Sequence, residues 1–310
     1  MLSRSPARYL LILVFLLAPA LFAFVACGGN EEEEATPMAE ETPMAEETPM
    51  AATICAAPDT GTAVEGVPEL EDGTLTVGSD IAYAPIEFFE AGSDTPVGVD
   101  IDIGECLGEE LGVAVEWLDL GFDPLIPSIE QGQIDAIMSA MTVTAEREQR
   151  IDFIPYFTAG TGILVRAGNP EGIQTVDDLC GLSVAAQEGT IQENQLRALN
   201  EDACADNAID IQVFDQNPLA VEQVRVGGAD AVLADFPVVV NDALQSDGEL
   251  EVAGDQFEAE PYGIGLRKDS TALNDALTSA LVTIIDDGRY DQILAKWGAE
   301  AGAYKEVAGQ

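Results

Sequence analysis

The stretch Ala140-Met-Thr-Val-Thr-Ala-Glu-Arg147 sets a guanidinium shortly after a threonine hydroxyl, that of Thr142. Thr144 suits a helix N-cap, so Arg147 falls in the first turn, where the helix dipole disfavours a cation. Two readings are open. Either Arg147 pairs with a neighbouring carboxylate, Glu148 or Asp152, or its fork grips a ligand carboxylate beside the Thr142 hydroxyl. Gly189-Thr190 is a second candidate, a place where a strand meets a helix N-terminus and exposes amides to an anion. Asp235 ends the strand-like run Ala231-Val-Leu-Ala and precedes a helix containing Pro237. It either caps that helix or meets an ammonium group, since open α/β sheets bind ligands at the carboxyl ends of their strands. Asp80, Tyr83 and Phe122 form the last group. The two rings are core, or they face each other across a cleft and enclose a side chain whose polar tip Asp80 reads.

Composition removes several chemistries. The chain of 310 residues carries 57 acidic and 12 basic residues and no histidine, a net charge of −45. Without histidine there is no Ser-His-Asp triad, and the commonest zinc ligand is missing. Binding of nucleic acid through a basic patch is excluded as an expectation. The acidity reads first as a solvated surface, whose field favours approach of cationic ligands. No cofactor or metal is expected.

The elements that must hold these residues alternate short β-like runs with amphipathic helical stretches, which predicts an α/β sheet. Strands are expected at Thr74–Gly78, Val113–Trp117, Ile134–Met138, Leu182–Ala186, Ile209–Phe214 and Ala231–Ala234. Helices are expected at Ile101–Leu111, Pro124–Gln131, Ala145–Arg150, Ile191–Leu199 and Leu219–Val226. Asp123 before Pro124 predicts an N-cap, and Thr190 with Glu193 a capping box. Extended runs at Ile163–Arg166 and Glu260–Lys268 enclose a complete α/β unit, which predicts a second lobe inserted into the first and a hinge between them. The expected division is a first lobe over 67–163, a second over 164–258 and a return to the first over 259–310.

The amino end reads differently. Arg4 and Arg8 precede the apolar run Tyr9–Phe24, and small residues lead to Cys27, which predicts a secretory signal over 1–26 cleaved before a lipidated Cys27. Residues 27–66 form an acidic tether in which Thr-Pro-Met-Ala-Glu-Glu recurs from Thr36, Thr42 and Thr48. Export permits disulfides. Cys180 ends a helical turn and Cys204 follows the next helix, so a bridge between them is expected. Cys106 lies on an apolar helix face and is either paired with Cys55 or a buried thiol.

The runs Leu75-Thr-Val-Gly-Ser-Asp-Ile-Ala-Tyr-Ala-Pro-Ile-Glu-Phe88, Val97-Gly-Val-Asp-Ile-Asp-Ile103, Phe122-Asp-Pro-Leu-Ile-Pro-Ser-Ile129 and Gln131-Gly-Gln-Ile-Asp-Ala136 resemble the extracellular solute-binding proteins of family three. Thr142–Arg147, Ile151-Asp-Phe153, Gln187–Thr190, Ala229–Asp235 and Pro261-Tyr-Gly-Ile264 continue the likeness in order. The resemblance covers 73–298. It implies a two-lobe, type II periplasmic-binding-protein-like fold with two hinge strands. It also implies a monomeric extracytoplasmic receptor that binds a free amino acid and delivers it to the permease of an ABC importer. Under it, Arg147 and Thr142 hold the α-carboxylate with amides near Gly189 and Thr190, while Asp235 and the Ala140 carbonyl receive the α-ammonium. Tyr83 and Phe122 flank the side chain, and Asp80 contacts its end, a tilt toward polar or cationic amino acids. Ile86 departs from the pattern, standing where an aromatic is common. The expectation is a binding protein and not an enzyme. A dehydratase-like enzyme on the same fold and a ligand-sensing domain are the alternatives.

Overall fold

A computed structural model describes residues 54–55 and 65–307. The expected signal over 1–26, Cys27 and most of the tether lie outside the described residues. In chain order the first lobe contributes β1 (Thr74–Ser79), β2 (Ala82–Tyr83), β3 (Glu87–Phe89), β4 (Pro96–Val97), α1 (Val99–Leu111), β5 (Ala114–Asp119), α2 (Leu125–Glu130) and β6 (Ala136–Ile137). A long strand β7 (Ile151–Arg166) leads into the second lobe, made of β8 (Ser183–Gln187), α3 (Ile191–Glu201), β9 (Asp210–Phe214), α4 (Asn217–Val226), β10 (Ala231–Asp235) and α5 (Phe236–Gln245). The return is β11 (Leu250–Arg267), followed by α6 (Thr271–Asp286) and α7 (Arg289–Trp297).

Eight strands pair in the order β5-β1-β6-β11-β7-β10-β8-β9. The parallel neighbours β5, β1 and β6 form one side and β10, β8 and β9 the other, while β7 and β11 pair antiparallel along their length and join the two. The expected crossings at Ile163–Arg166 and Glu260–Lys268 are thus ends of two much longer strands. Register shifts interrupt the β7–β11 ladder between Ala253 and Phe257 and between Phe257 and Glu260. Bulges of this kind bend and twist a strand, and here they sit at the passage from one lobe to the other.

Apolar helix faces cover the sheet. β10 is buried at all five positions and β8 at its last four, as expected of strands with helices on both faces. Helix α1 starts where Gly98 lets the chain pass Ile86, whose carbonyl would lie 2.1 Å from an added Cβ. It ends on Gly112 in the left-handed conformation, with its N–H turned back to Gly108 and Glu109. Two disulfides tie the elements, Cys180–Cys204 as expected and Cys55–Cys106, which resolves the open alternative for Cys106.

Three local expectations are corrected. The helix expected over Ala145–Arg150 is a single 3-10 turn, Arg147–Gln149, because β7 begins at Ile151 and leaves no length for a second turn. Asp123 does not cap α2: Pro124 holds the N-cap position and no side chain caps it. The strand expected over Ile134–Met138 keeps only Ala136–Ile137 in the ladder. Among the described residues no helix is long and apolar enough to cross a membrane.

Candidate functional site

The parallel strands point their carboxyl ends at one narrow cavity. Asp80 follows β1, Ser139 and Ala140 follow β6, Gln187 ends β8 and Asp235 ends β10. Tyr83, Phe122, Thr142, Arg147 and Thr190 complete the walls together with Glu87, Ile191 and Gln192. The cavity therefore collects every expected ligand-binding residue except Gly189, which lines the wider opening beside it.

Arg147 is 9% exposed and held from both lobes. Its Nη1 donates to the Thr142 carbonyl at 2.7 Å and its Nη2 to the Gly189 carbonyl at 3.1 Å, while the guanidinium carbon lies 5.3 Å from the centre of the Phe122 ring. Neither carboxylate weighed against it holds it. Asp152 pairs instead with Lys268 at 2.9 Å. Burial pulls the guanidinium down to about 10, opposed by Asp235 and Glu146, so it stays charged at neutral pH. Two of its five N–H groups point at carbonyls, which leaves a fork for a carboxylate.

The Gly189 amide differs from expectation. It donates to Glu193 Oε2 at 2.9 Å, so it is engaged within its own lobe. The capping box is shifted accordingly: the Thr190 hydroxyl accepts from the Glu193 amide at 3.3 Å, but Glu193 reaches back to Gly189 and not to the cap itself. Thr190 also donates to the Gln187 carbonyl at 2.7 Å. Gly189 has a φ of +74°, and a Cβ there would lie 3.0 Å from Asp123 Oδ1 of the opposite lobe. A left-handed backbone and a close approach both favour glycine at this position.

Opposite the arginine, Asp235 is 4% exposed. It occupies the N-cap position of α5, yet its side chain caps nothing. Its Oδ2 accepts from the Tyr83 hydroxyl at 3.0 Å and its Oδ1 from Gln192 Nε2 at 2.9 Å. Burial pushes its carboxyl up to about 6, against the hydroxyls of Tyr262 and Tyr83, the Gln192 amide and the charge of Arg147. Ala140 has a φ of 45°, a left-handed conformation that a non-glycine residue adopts at a cost. Its amide is fixed by Asp100 Oδ2 at 3.0 Å, and Asp100 Oδ1 accepts from the Tyr156 hydroxyl at 2.6 Å.

The far end of the cavity is acidic. The Asp80 amide donates to Ser139 Oγ at 2.9 Å, and that hydroxyl donates to Glu87 Oε1 at 3.1 Å. Asp80 Oδ2 accepts from Gln187 Nε2 across the lobes. Asp80 Oδ1 and Glu87 Oε2 are buried without a partner. Burial pushes Asp80 up to about 6, against the side-chain amides of Gln187 and Gln216 and helped by Asp119, and it pushes Glu87 well above the carboxylate range, with Asp100 next in effect. Gln187–Gln192 is a stretch whose departures from the family pattern bear on specificity, whereas Glu87 and Ser139 are not singled out in the sequence. A polar residue between Ile86 and Phe88 reads as the wet face of a strand, and the partner that draws Glu87 inward is 52 positions away.

The walls thus carry three carboxyls, Asp80, Glu87 and Asp235, against one guanidinium. Known proteins resemble the chain in sequence and in fold. The arginine-binding protein ArgT of Corynebacterium glutamicum is 29% identical over 310 residues, covering 98% of this chain and 96% of its own. The L-cystine-binding protein TcyJ of Escherichia coli K12 is 30% identical over 229 residues, covering 73% of this chain and 83% of its own. Among solved structures, an ancestral arginine-binding protein bound to arginine matches with a TM-score of 0.69 and 34% identity, over 73% of this chain and 98% of that one. The family model of the bacterial extracellular solute-binding proteins, family 3, matches residues 75–300. The chain belongs to that family.

Proposed function

We propose that this protein is the extracytoplasmic receptor of an ABC importer and that it encloses a free basic amino acid between its lobes. The observation that carries the reading is the imbalance of the cavity: three buried carboxyls face one guanidinium, and two of their oxygens, Asp80 Oδ1 and Glu87 Oε2, lack a donor. An amino acid with a cationic side chain supplies what is missing, because buried carboxylates require a charge partner or hydrogen-bond donors. Its α-carboxylate meets the free edge of Arg147 beside Thr142 and the start of α3, and its α-ammonium meets Asp235. Its side chain runs between Tyr83 and Phe122 toward Asp80 and Glu87. The names of ArgT and of the ancestral protein point the same way, while TcyJ shows that the family's ligands are not all basic.

Closure rests on contacts that span the lobes. We take residues 67–163 and 259–310 as one lobe and 164–258 as the other, with the hinge in the interrupted part of the β7–β11 ladder. Binding and release then need no bond-making step, and we assign no catalysis. For the amino end we propose that residues 1–26 are removed, that Cys27 carries lipid and that 27–66 tether a monomer to the membrane. Arg4, Arg8, the apolar run and the repeated hexad support this. Mass spectrometry of the membrane-extracted amino terminus tests it.

A thermal-shift screen over the amino acids, followed by calorimetric titration, tests the ligand. Arginine, lysine or ornithine should raise the melting temperature most, since a ligand that binds only the folded state stabilises it by mass action. A response confined to acidic amino acids overturns the reading.

A further inference from the structure

Glu87 is enclosed by acids. The groups facing it are the carboxyls of Asp100 on α1, Asp80 after β1 and Asp235 at the end of β10, with the hydroxyls of Tyr83 on β2 and Tyr156 on β7. The cation that shares its cavity, the Arg147 guanidinium, acts on Asp235. Its side chain is 1% exposed, Oε1 takes the one hydroxyl that Ser139 offers, and Oε2 has no donor. A bare carboxylate oxygen in such a place is costly, and a neutral carboxyl is not. A ligand cation reverses the balance, because it brings both a charge and N–H donors to Oε2.

We propose that Glu87 holds a proton while the cavity is without ligand and releases it to solvent when a cationic side chain enters, so that a basic amino acid is bound in exchange for a proton. The exchange balances: a neutral carboxyl and a ligand cation become a carboxylate–cation pair and one proton taken up by buffer. A neutral amide side chain leaves the proton in place, since the protonated carboxyl donates to the amide oxygen. Glu87 is then a specificity residue that gives basic and neutral ligands different pH profiles. Affinity for the basic ligand falls as the pH is lowered, by about tenfold per pH unit while one proton is exchanged, and affinity for a neutral one stays level down to about pH 6, where Asp235 begins to take a proton. This inference rests on the basic amino acid reading.

The test is calorimetric titration of the mature protein with L-arginine at pH 7 in two buffers of different ionisation enthalpy, phosphate and Tris, with L-glutamine as the neutral probe. The expected difference in heat corresponds to release of about one proton per arginine and none per glutamine. Glu87→Gln should abolish the release and level the arginine pH profile. Heats for the unaltered protein that do not depend on buffer overturn the exchange while leaving the ligand reading intact, and that comparison needs no variant. Release that persists in folded Glu87→Gln overturns the assignment to Glu87. Absence of binding by every basic amino acid overturns the ligand reading and the exchange together.

Discussion

The hydroxyl of Tyr83 both gives and takes a hydrogen bond at one residue of the opposite lobe: it donates to Asp235 Oδ2 at 3.0 Å and accepts from the Asp235 amide at 2.9 Å. The two residues are 152 positions apart. An aromatic expected only as a wall is therefore also a clasp between the ends of β2 and β10, and it aims the carboxylate that is assigned to the ligand ammonium. The Gln187 bond to Asp80 and the Arg147 bond to the Gly189 carbonyl cross between the lobes in the same way. Each of the three joins a residue proposed to bind the ligand to the other lobe, so the proposed closure and ligand contact would use the same side chains.

Tyr83→Phe keeps the ring and removes both bonds, leaving a buried amide and a buried carboxylate oxygen each short of a partner. Such losses typically cost about 1–3 kcal/mol. Affinity for the best amino acid should fall by roughly tenfold or more, read by calorimetric titration, with the melting temperature of the free protein lowered as well. An unchanged dissociation constant would show that the clasp contributes nothing to the bound state.

Arg147 gives a sharper contrast. Arg147→Ala should weaken binding by about 2–5 kcal/mol, because a ligand carboxylate would be buried without its partner. Arg147→Lys restores the charge but cannot hold the Thr142 and Gly189 carbonyls and a carboxylate edge at once, so it should recover only part of the loss. Full recovery by lysine would mean that the charge alone matters and that the bidentate geometry does not.

The buried carboxyls set the pH dependence of the free protein. Asp80 and Asp235 are raised to about 6 and Asp100 to about 7, in each case chiefly by burial. A folded state with raised carboxyl values binds more protons than the unfolded chain, so its stability falls as the pH rises from about 4 to 7. The lowered carboxyls, Glu130, Asp178, Asp269 and Asp287, are exposed and act in the opposite sense only at lower pH. Scanning calorimetry without amino acid should therefore give a higher melting temperature at pH 5 than at pH 7. A rise in melting temperature from pH 5 to pH 7 would contradict the burial of these groups as neutral acids.

Much of this site is legible in the chain because it sits where strands end. Asp80, Ala140 and Asp235 each follow or close a β-like run, and the rule that ligands meet the carboxyl ends of parallel strands places them without any coordinates. Arg147 stands out because a cation in a first helical turn needs another reason to be there. What the pattern hides is set by contacts between distant segments. Glu87 sits between apolar neighbours as a solvated strand residue does, and its bond from Ser139, 52 positions away, is invisible in the sequence. The Gly189 amide looks free at a helix start until Glu193 is seen to reach it. The helix expected at Ala145–Arg150 has the right cap in Thr144, whose hydroxyl takes the Arg147 amide at 3.2 Å, but β7 claims the residues that would extend it.

The second-lobe disulfide separates stability from binding. Cys180 follows the 3-10 turn Val176–Leu179, and Cys204 packs with Leu179, Leu196 and Ile209 in the cluster of buried residues under α3, with a separation of 24 positions between the cysteines. Closing a loop of that length contributes about 3 kcal/mol, mostly by restricting the unfolded chain. Neither cysteine lines the cavity, and β8 runs from their end of the lobe to Gln187 at the cavity. The double substitution Cys180→Ser with Cys204→Ser should therefore lower the free energy of unfolding in urea by about 3 kcal/mol and leave the dissociation constant for the amino acid within about twofold. A loss of affinity at unchanged stability would mean instead that the bridge holds the start of α3 in position for the ligand carboxylate.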